Sequence, residues 1–352
     1  MGMHPENPFL PDAPEAASER PKDLQAFDVV ETFEVAGFDS LEVATTMEKG
    51  HDAEGEKDSR NGDAILADAK TGLLGVFDGL GGQKHADRAS QAASLMLASS
   101  WKRALTSWNG KTDLIEEALT PLSDMETLPW LRQDSAFARK AHAMLVGLEW
   151  AHASATGTGG MTTACVGFVH TSEDGARRLV TANVGDSGAF ILRSGGGVER
   201  ASPDESILGY LLAVGAIDLP LLYRLKKEPD TAIEVPSLGR KDSYYDMANT
   251  VIRPLGGPDS VRPRITVKTL LPDDVVIFCT DGVIDKYENV ISEIPPEREM
   301  REEQMDLGGF ESAAAELTVM ERVESLRKDA AERVAYKITD DIGIVGIRVL
   351  KD

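Results

Sequence analysis

Leu73-Leu74-Gly75-Val76-Phe77-Asp78-Gly79 is an apolar run that ends on a carboxylate and a glycine. Val275-Val276-Ile277-Phe278-Cys279-Thr280-Asp281-Gly282 repeats the arrangement far along the chain, and Asp340-Asp341-Ile342-Gly343-Ile344-Val345 reverses it. Short apolar runs rich in β-branched and aromatic residues and bounded by turn residues read as buried strands. Each run therefore sets a carboxylate at the rim of a strand, on rigid scaffold, and the glycine lets the backbone come close to a ligand. Asp63, just before the run Ala64–Asp68, joins the set. One Asp-Gly is most often only a turn. Several at strand rims are a pattern.

Working outward, further strands are expected at Leu41–Met47, Met161–His170, Arg178–Val184, Ala189–Arg193 and Ile265–Leu270. Helical periodicity falls between groups of strands, at Ala86–Thr106, Ser135–Ala153 and about Phe310–Ala335. That order favours an α+β fold with two packed sheets over βαβ repetition. The stretch at about 204–249 is irregular and charged, and reads as a surface excursion.

Composition narrows the chemistry. The chain has 352 residues, 59 acidic against 37 basic, and a net charge of -22, which argues against reading nucleic-acid phosphates. At 42% hydrophobic it can bury a sizeable core. Its longest apolar stretch, Gly209–Tyr223, is broken by Asp218 and Pro220 and is too short to span a bilayer. No secretory signal is recognisable, so a cytoplasmic location is expected, with residues 1–22 as a mobile tail. Cys165 and Cys279 lie in apolar runs and read as core.

If the strands ending on aspartate are neighbours, their carboxylates converge, and repulsion and desolvation oppose folding unless cations sit among them. Hard oxygen donors with no paired histidine or cysteine point to Mg²⁺ or Mn²⁺ rather than zinc. Two such ions activate a water and clamp a phosphoryl group.

Taken in order, the segments resemble the metal-dependent Ser/Thr protein phosphatases of the PPM, or PP2C, family. Arg60-Asn61-Gly62-Asp63 resembles its first acidic motif, Asp78-Gly79-Leu80-Gly81-Gly82 its Asp-Gly-x-Gly-Gly motif, and Gly160-Met161-Thr162-Thr163 its Gly-x-Thr-Thr strand. Val184-Gly185-Asp186-Ser187 resembles the Val-Gly-Asp-Ser hairpin and Ser202-Pro203-Asp204-Glu205 the Thr-x-Asp-His segment. Asp281-Gly282-Val283-Ile284-Asp285 and Asp340-Asp341-Ile342 resemble the last two motifs, so the likeness spans roughly 41–350.

The resemblance implies a four-layer α-β-β-α sandwich of two central antiparallel sheets flanked by helices, with two Mg²⁺ or Mn²⁺ ions in a cleft at one end. It implies that Asp78 bridges the metals, that the Gly79 carbonyl binds the second, and that Asp281 and Asp340 hold the first. Asp63 would orient metal-bound water, and Asp204 and Asp285 would hold a weaker third ion together with Asp281. The implied reaction is hydrolysis of phosphoserine or phosphothreonine in proteins by a metal-activated water, opposite a cognate kinase. A catalytically silent module that binds phosphoproteins is the alternative.

The sequence departs from the family pattern at five positions. Leu80 stands where eukaryotic members carry a histidine, leaving metal-bound water or, more remotely, His85 as the proton donor. Gly62 replaces the usual Glu before the first Asp, and Asp58 replaces a frequent arginine, so Arg60 is the candidate phosphate ligand. Gly188 and Glu205 replace a frequent arginine and a histidine. Asp186 reads as a turn residue that supports the fold.

Overall fold

The computed structural model describes residues 29–33, 41–48, 61–68, 72–81, 84–108, 110–121, 123–124, 132–172, 175–228, 230–235, 239–288, 319–333 and 341–349. The tail expected at 1–22 lies outside them, as do Arg60 and Asp340.

Period-two burial on both faces explains why the decisive runs are continuously apolar. In the strand β12 (Val275–Cys279), Val276 and Phe278 face one core, while Val275, Ile277 and Cys279 face another. β4 (Leu73–Phe77) behaves alike, with Leu74 and Val76 on one side and Leu73 and Phe77 on the other. A strand buried on both faces has no polar side to alternate.

The shared inner core, which includes Val43, Leu74, Val76, Cys165, Val276, Phe278 and Val345, lies between two antiparallel sheets. With β1 (Val29–Phe33), β2 (Leu41–Glu48), β3 (Ala64–Asp68), β5 (Ala164–Thr171), β6 (Arg177–Val184), β7 (Gly188–Leu192), β8 (Val198–Arg200), β11 (Arg264–Leu270) and β13 (Ile342–Val349), the orders are β1-β2-β13-β12-β7-β8 and β11-β6-β5-β4-β3. α1 (Ala86–Ser107) and α3 (Ser135–Thr158), with the short α2 (Asp113–Ala118), cover the five-stranded sheet. α7 (Asp281–Glu288) and α8 (Val319–Arg333) cover the six-stranded one through Val283, Ile284, Val319, Val323 and Leu326. The result is the expected α-β-β-α sandwich.

Two features exceed the sequence reading. β1 pairs with β2 ahead of the expected start at Leu41. Between 204 and 249 the described residues fold into α4 (Ile207–Ala213), α5 (Leu219–Lys227), α6 (Tyr244–Ala248) and the ribbon β9 (Ile233–Val235)–β10 (Arg240–Asp242). This part has its own small core, around Leu208, Leu211, Leu222, Leu225 and Met247.

α3 starts at Asp134, whose Oδ1 accepts the N–H groups of Ala136 (3.0 Å) and Phe137 (2.9 Å), while its Oδ2 meets His170 Nε2 at 2.7 Å. Burial alone would raise the Asp134 carboxyl, yet the Phe137 N–H, His170 and the Ala136 N–H together hold it below the usual range. Burial lowers the His170 imidazole more than Asp134 raises it. Both folded-state values are thus depressed, so the unfolded chain binds more protons and stability falls on acidification. The His170 contribution is lost first, as pH falls from 6.5, its ordinary value, through the folded value, and the Asp134 contribution follows below 3.8. His170→Gln should remove its share of the stability lost between pH 7.5 and 5.5, so that in urea unfolding the variant loses less, or gains more, on acidification than the wild type. An equal change in variant and wild type contradicts this assignment.

Candidate metal centre

The carboxylates gather at one end of the sandwich because strands from both sheets finish there. Asp78 follows β4, and its backbone is pinned from both sides: its N–H donates to Thr163 Oγ1 (3.1 Å), and its carbonyl accepts from Thr163 N–H (2.8 Å) and Thr162 Oγ1 (2.6 Å). Thr163 Oγ1 also lies 2.7 Å from Ser187 Oγ, which ties Asp78 to the turn carrying Asp186. Asp281 begins α7 directly after β12 and Thr280.

Oxygens of Asp78, Asp186 and Asp281 lie within 4.8 Å of one another. Asp186 Oδ1 and Asp281 Oδ1 are both buried without a hydrogen-bond partner. Burial first, then the charges of Asp281 and Asp204, drive the Asp186 carboxyl well above the ordinary carboxylate range. Orphaned, mutually repelling, buried hard oxygens are the donor set a divalent cation satisfies. The residues fit the ions that the motifs imply.

Asp186 corrects the sequence reading: it sits in the turn between β6 and β7, but its side chain belongs to the acidic group. Its signal was present in Val184-Gly185-Asp186, another apolar strand leading to Gly and Asp, with the order reversed.

The other expected residues divide. Asp63 is 2% exposed and lies outside the 4.8 Å grouping, and its Oδ2 accepts from Thr280 Oγ1 at 2.9 Å. Thr280 Oγ1 in turn accepts the Gly343 N–H at 3.0 Å, so one buried hydroxyl joins Asp63, β12 and β13. Gly79 pairs with Thr162, and its N–H donates to the Gly62 carbonyl at 3.1 Å. Asp204 is half-buried, accepts the Ser206 N–H at 2.8 Å and acts on Asp186 through charge. Asp285 lies one turn beyond Asp281 in α7, and its side chain is outside the described residues. His85 is exposed at the start of α1, and nothing draws it into the acidic group. Cys165 is core, its thiol pushed up to about 12 by burial.

Solved structures share the fold. No known family profile matches the chain. A serine/threonine phosphatase stp from Listeria welshimeri is 25% identical over 227 residues, covering 64% of this chain and 69% of that protein. The solved structure of the S. agalactiae serine/threonine phosphatase superposes with a TM-score of 0.55 at 19% identity, over 88% of this chain and 99% of that one. The Mycobacterium tuberculosis serine/threonine phosphatase PstP/Ppp gives a TM-score of 0.52 at 18% identity, again over 88% and 99%. In its ordered acidic motifs, in the sandwich that brings them together and in its curated relatives, this chain is similar to the bacterial-type PPM phosphatases.

Proposed function

We propose that the chain is a metal-dependent protein phosphatase that hydrolyses phosphoserine or phosphothreonine. The observation that carries this reading is the convergence of Asp78, Asp186 and Asp281 with two orphaned oxygens. When bound, Mg²⁺ or Mn²⁺ supplies neutralising charge, a Lewis acid for the phosphoryl oxygens and a water acidic enough to attack. The three aspartates would hold these ions, with Asp340, Asp285 and the Gly79 carbonyl added from the motif pattern. Thr163 and Ser187 fix the Asp78 and Asp186 loops relative to each other, and Thr280 fixes Asp63. Asp63 is thereby an acceptor oriented to hold a water's proton rather than to bind phosphate, which its own charge repels. The net charge of -22 disfavours acidic peptides, so basic or neutral phosphoproteins are the favoured substrates.

We place the protein in the cytoplasm, opposite a kinase. Among the described residues no helix is long and apolar enough to cross a membrane. Phosphate release from a phosphothreonine peptide should rise with Mn²⁺ and vanish with a chelator. Turnover that survives chelation rejects the metal mechanism. No turnover at any Mn²⁺ or Mg²⁺ level, with phosphopeptide still bound, favours the silent binding module.

A further inference from the structure

Gly62, the glycine that stands where the family pattern has Glu, is held at both of its peptide groups. Its carbonyl accepts the Gly79 N–H (3.1 Å) and Ser90 Oγ (2.6 Å), and its N–H donates to Asp341 Oδ2. The Asp341 carboxylate arrives from 279 residues away in sequence. A methyl group placed on Gly62 would stand 3.3 Å from that Asp341 oxygen and 3.5 Å from the Gly79 carbonyl oxygen. The anionic side chain of Asp341 therefore occupies the space into which a longer side chain at 62 would grow, beside the Gly79 carbonyl. On its other flank the Asp341 carbonyl is so close to Gly282 that a methyl group there would lie 2.1 Å away. Asp341 is thus wedged between the loop bearing Asp63 and the start of the helix bearing Asp281.

We propose that Asp341 is a positioning residue of the metal centre and that Gly62 and Asp341 are a compensating pair. The carboxylate that the family pattern carries just before its first Asp is supplied here from the start of β13, across a glycine that leaves room for it. The inference rests on the metal-dependent reading above. It assigns Asp341 no bond to the ions: the carboxylate fixes the Gly62 peptide, hence the direction of the Gly79 carbonyl and the Asp63 side chain, and adds one negative charge to their surroundings.

A double-mutant cycle read by Mn²⁺ binding to the full chain, followed by calorimetry and by the free-ion paramagnetic resonance signal, tests the pair. Asp341→Ala, which removes both acceptor and charge, should weaken binding about 10- to 100-fold, the range for losing an outer-shell partner. Asp341→Asn keeps an acceptor for Gly62 N–H and should lose less. Gly62→Glu alone should weaken binding about tenfold or more, because it sets a second carboxylate against the first. Combined with Asp341→Asn it should recover to within about threefold of wild type, and that rescue is the coupling a merely structural role would not produce. Additive losses, or an Asp341→Ala variant that binds Mn²⁺ like wild type, overturn the pairing. Asp281→Asn serves as control: if it leaves Mn²⁺ binding intact, the metal reading itself fails and takes the pairing with it. Melting temperatures of all variants identify any that simply do not fold; if Gly62→Glu is one of them, Gly62→Ala, whose methyl group would stand 3.3 Å from the Asp341 oxygen, replaces it and should weaken binding beside Asp341 but add little to the loss in Asp341→Ala.

Discussion

Asp281→Asn is expected to reduce Mn²⁺-dependent phosphate release by more than about 100-fold, the upper end of the loss seen when an outer-shell partner of a metal is removed, because here a direct ligand goes. The same variant should raise the melting temperature of the metal-free protein. Asp281 Oδ1 is buried without a hydrogen-bond partner, and its carboxylate shares a space of 4.8 Å with those of Asp78 and Asp186. Two like charges at such separation repel by on the order of 1 to 4 kcal/mol at an effective dielectric of about 20, and asparagine removes that term while offering an N–H to its neighbours. A loss of activity together with a gain in metal-free stability separates a functional site from a folding defect. Activity within a few-fold of wild type, or a lower metal-free melting temperature, would show that the acidic group is not a strained cation site. Kinetics with Mn²⁺ and thermal unfolding with chelator give the two readings.

The largest effect on stability is expected at the other end of the same strand. Asp274 is 0% exposed, and its Oδ2 accepts from Arg193 Nη1 (2.7 Å) and the Leu271 N–H (2.9 Å), while Oδ1 accepts the Ser194 N–H (2.9 Å). Arg193 also pairs with Glu199 and donates to the Thr269 carbonyl at 2.8 Å, and Lys268 Nζ meets Glu199 Oε1 at 2.6 Å. This network joins the β7–β8 hairpin of one sheet to β11 of the other. Asp274→Ala leaves the arginine short of a buried counter-charge and two backbone N–H groups without acceptors, and should cost about 3 to 5 kcal/mol in urea unfolding. β12 carries the chain roughly 16 Å from Asp274 to the acidic end, so the folded variant should keep its metal affinity. A loss under about 1 kcal/mol would show that the network is a solvated surface pair in effect.

Much of this fold is legible because burial on both faces writes itself into composition. β3, β4 and β13 begin and end where the apolar runs do, and β2, β5, β6, β7, β11 and β12 agree to within a few residues. β1 and β8 are short edge strands, and β9 and β10 form a short isolated ribbon. β8, β9 and β10, three residues each, have too few buried side chains to impose a period. Asp63, Asp78, Asp204 and Asp281 could be singled out from their place at the ends of apolar runs or in the ordered motifs. Asp186 looked like a hairpin turn because a turn residue and a ligand can share one local sequence, and only the direction of the side chain separates them.

By itself the sequence determined which strands would be buried, that hard acidic donors stood at their ends, and that the chain would be sandwich-like and strongly anionic. Local pattern suffices for that, since strand burial and turn chemistry depend on neighbours a few residues away. Tertiary structure alone decided which oxygens meet. Asp186 joins Asp78 and Asp281, Thr280 holds Asp63, and Asp341 reaches Gly62 across 279 residues. Those meetings depend on how two sheets stack and where their strand ends fall, a long-range geometry that no window of sequence contains.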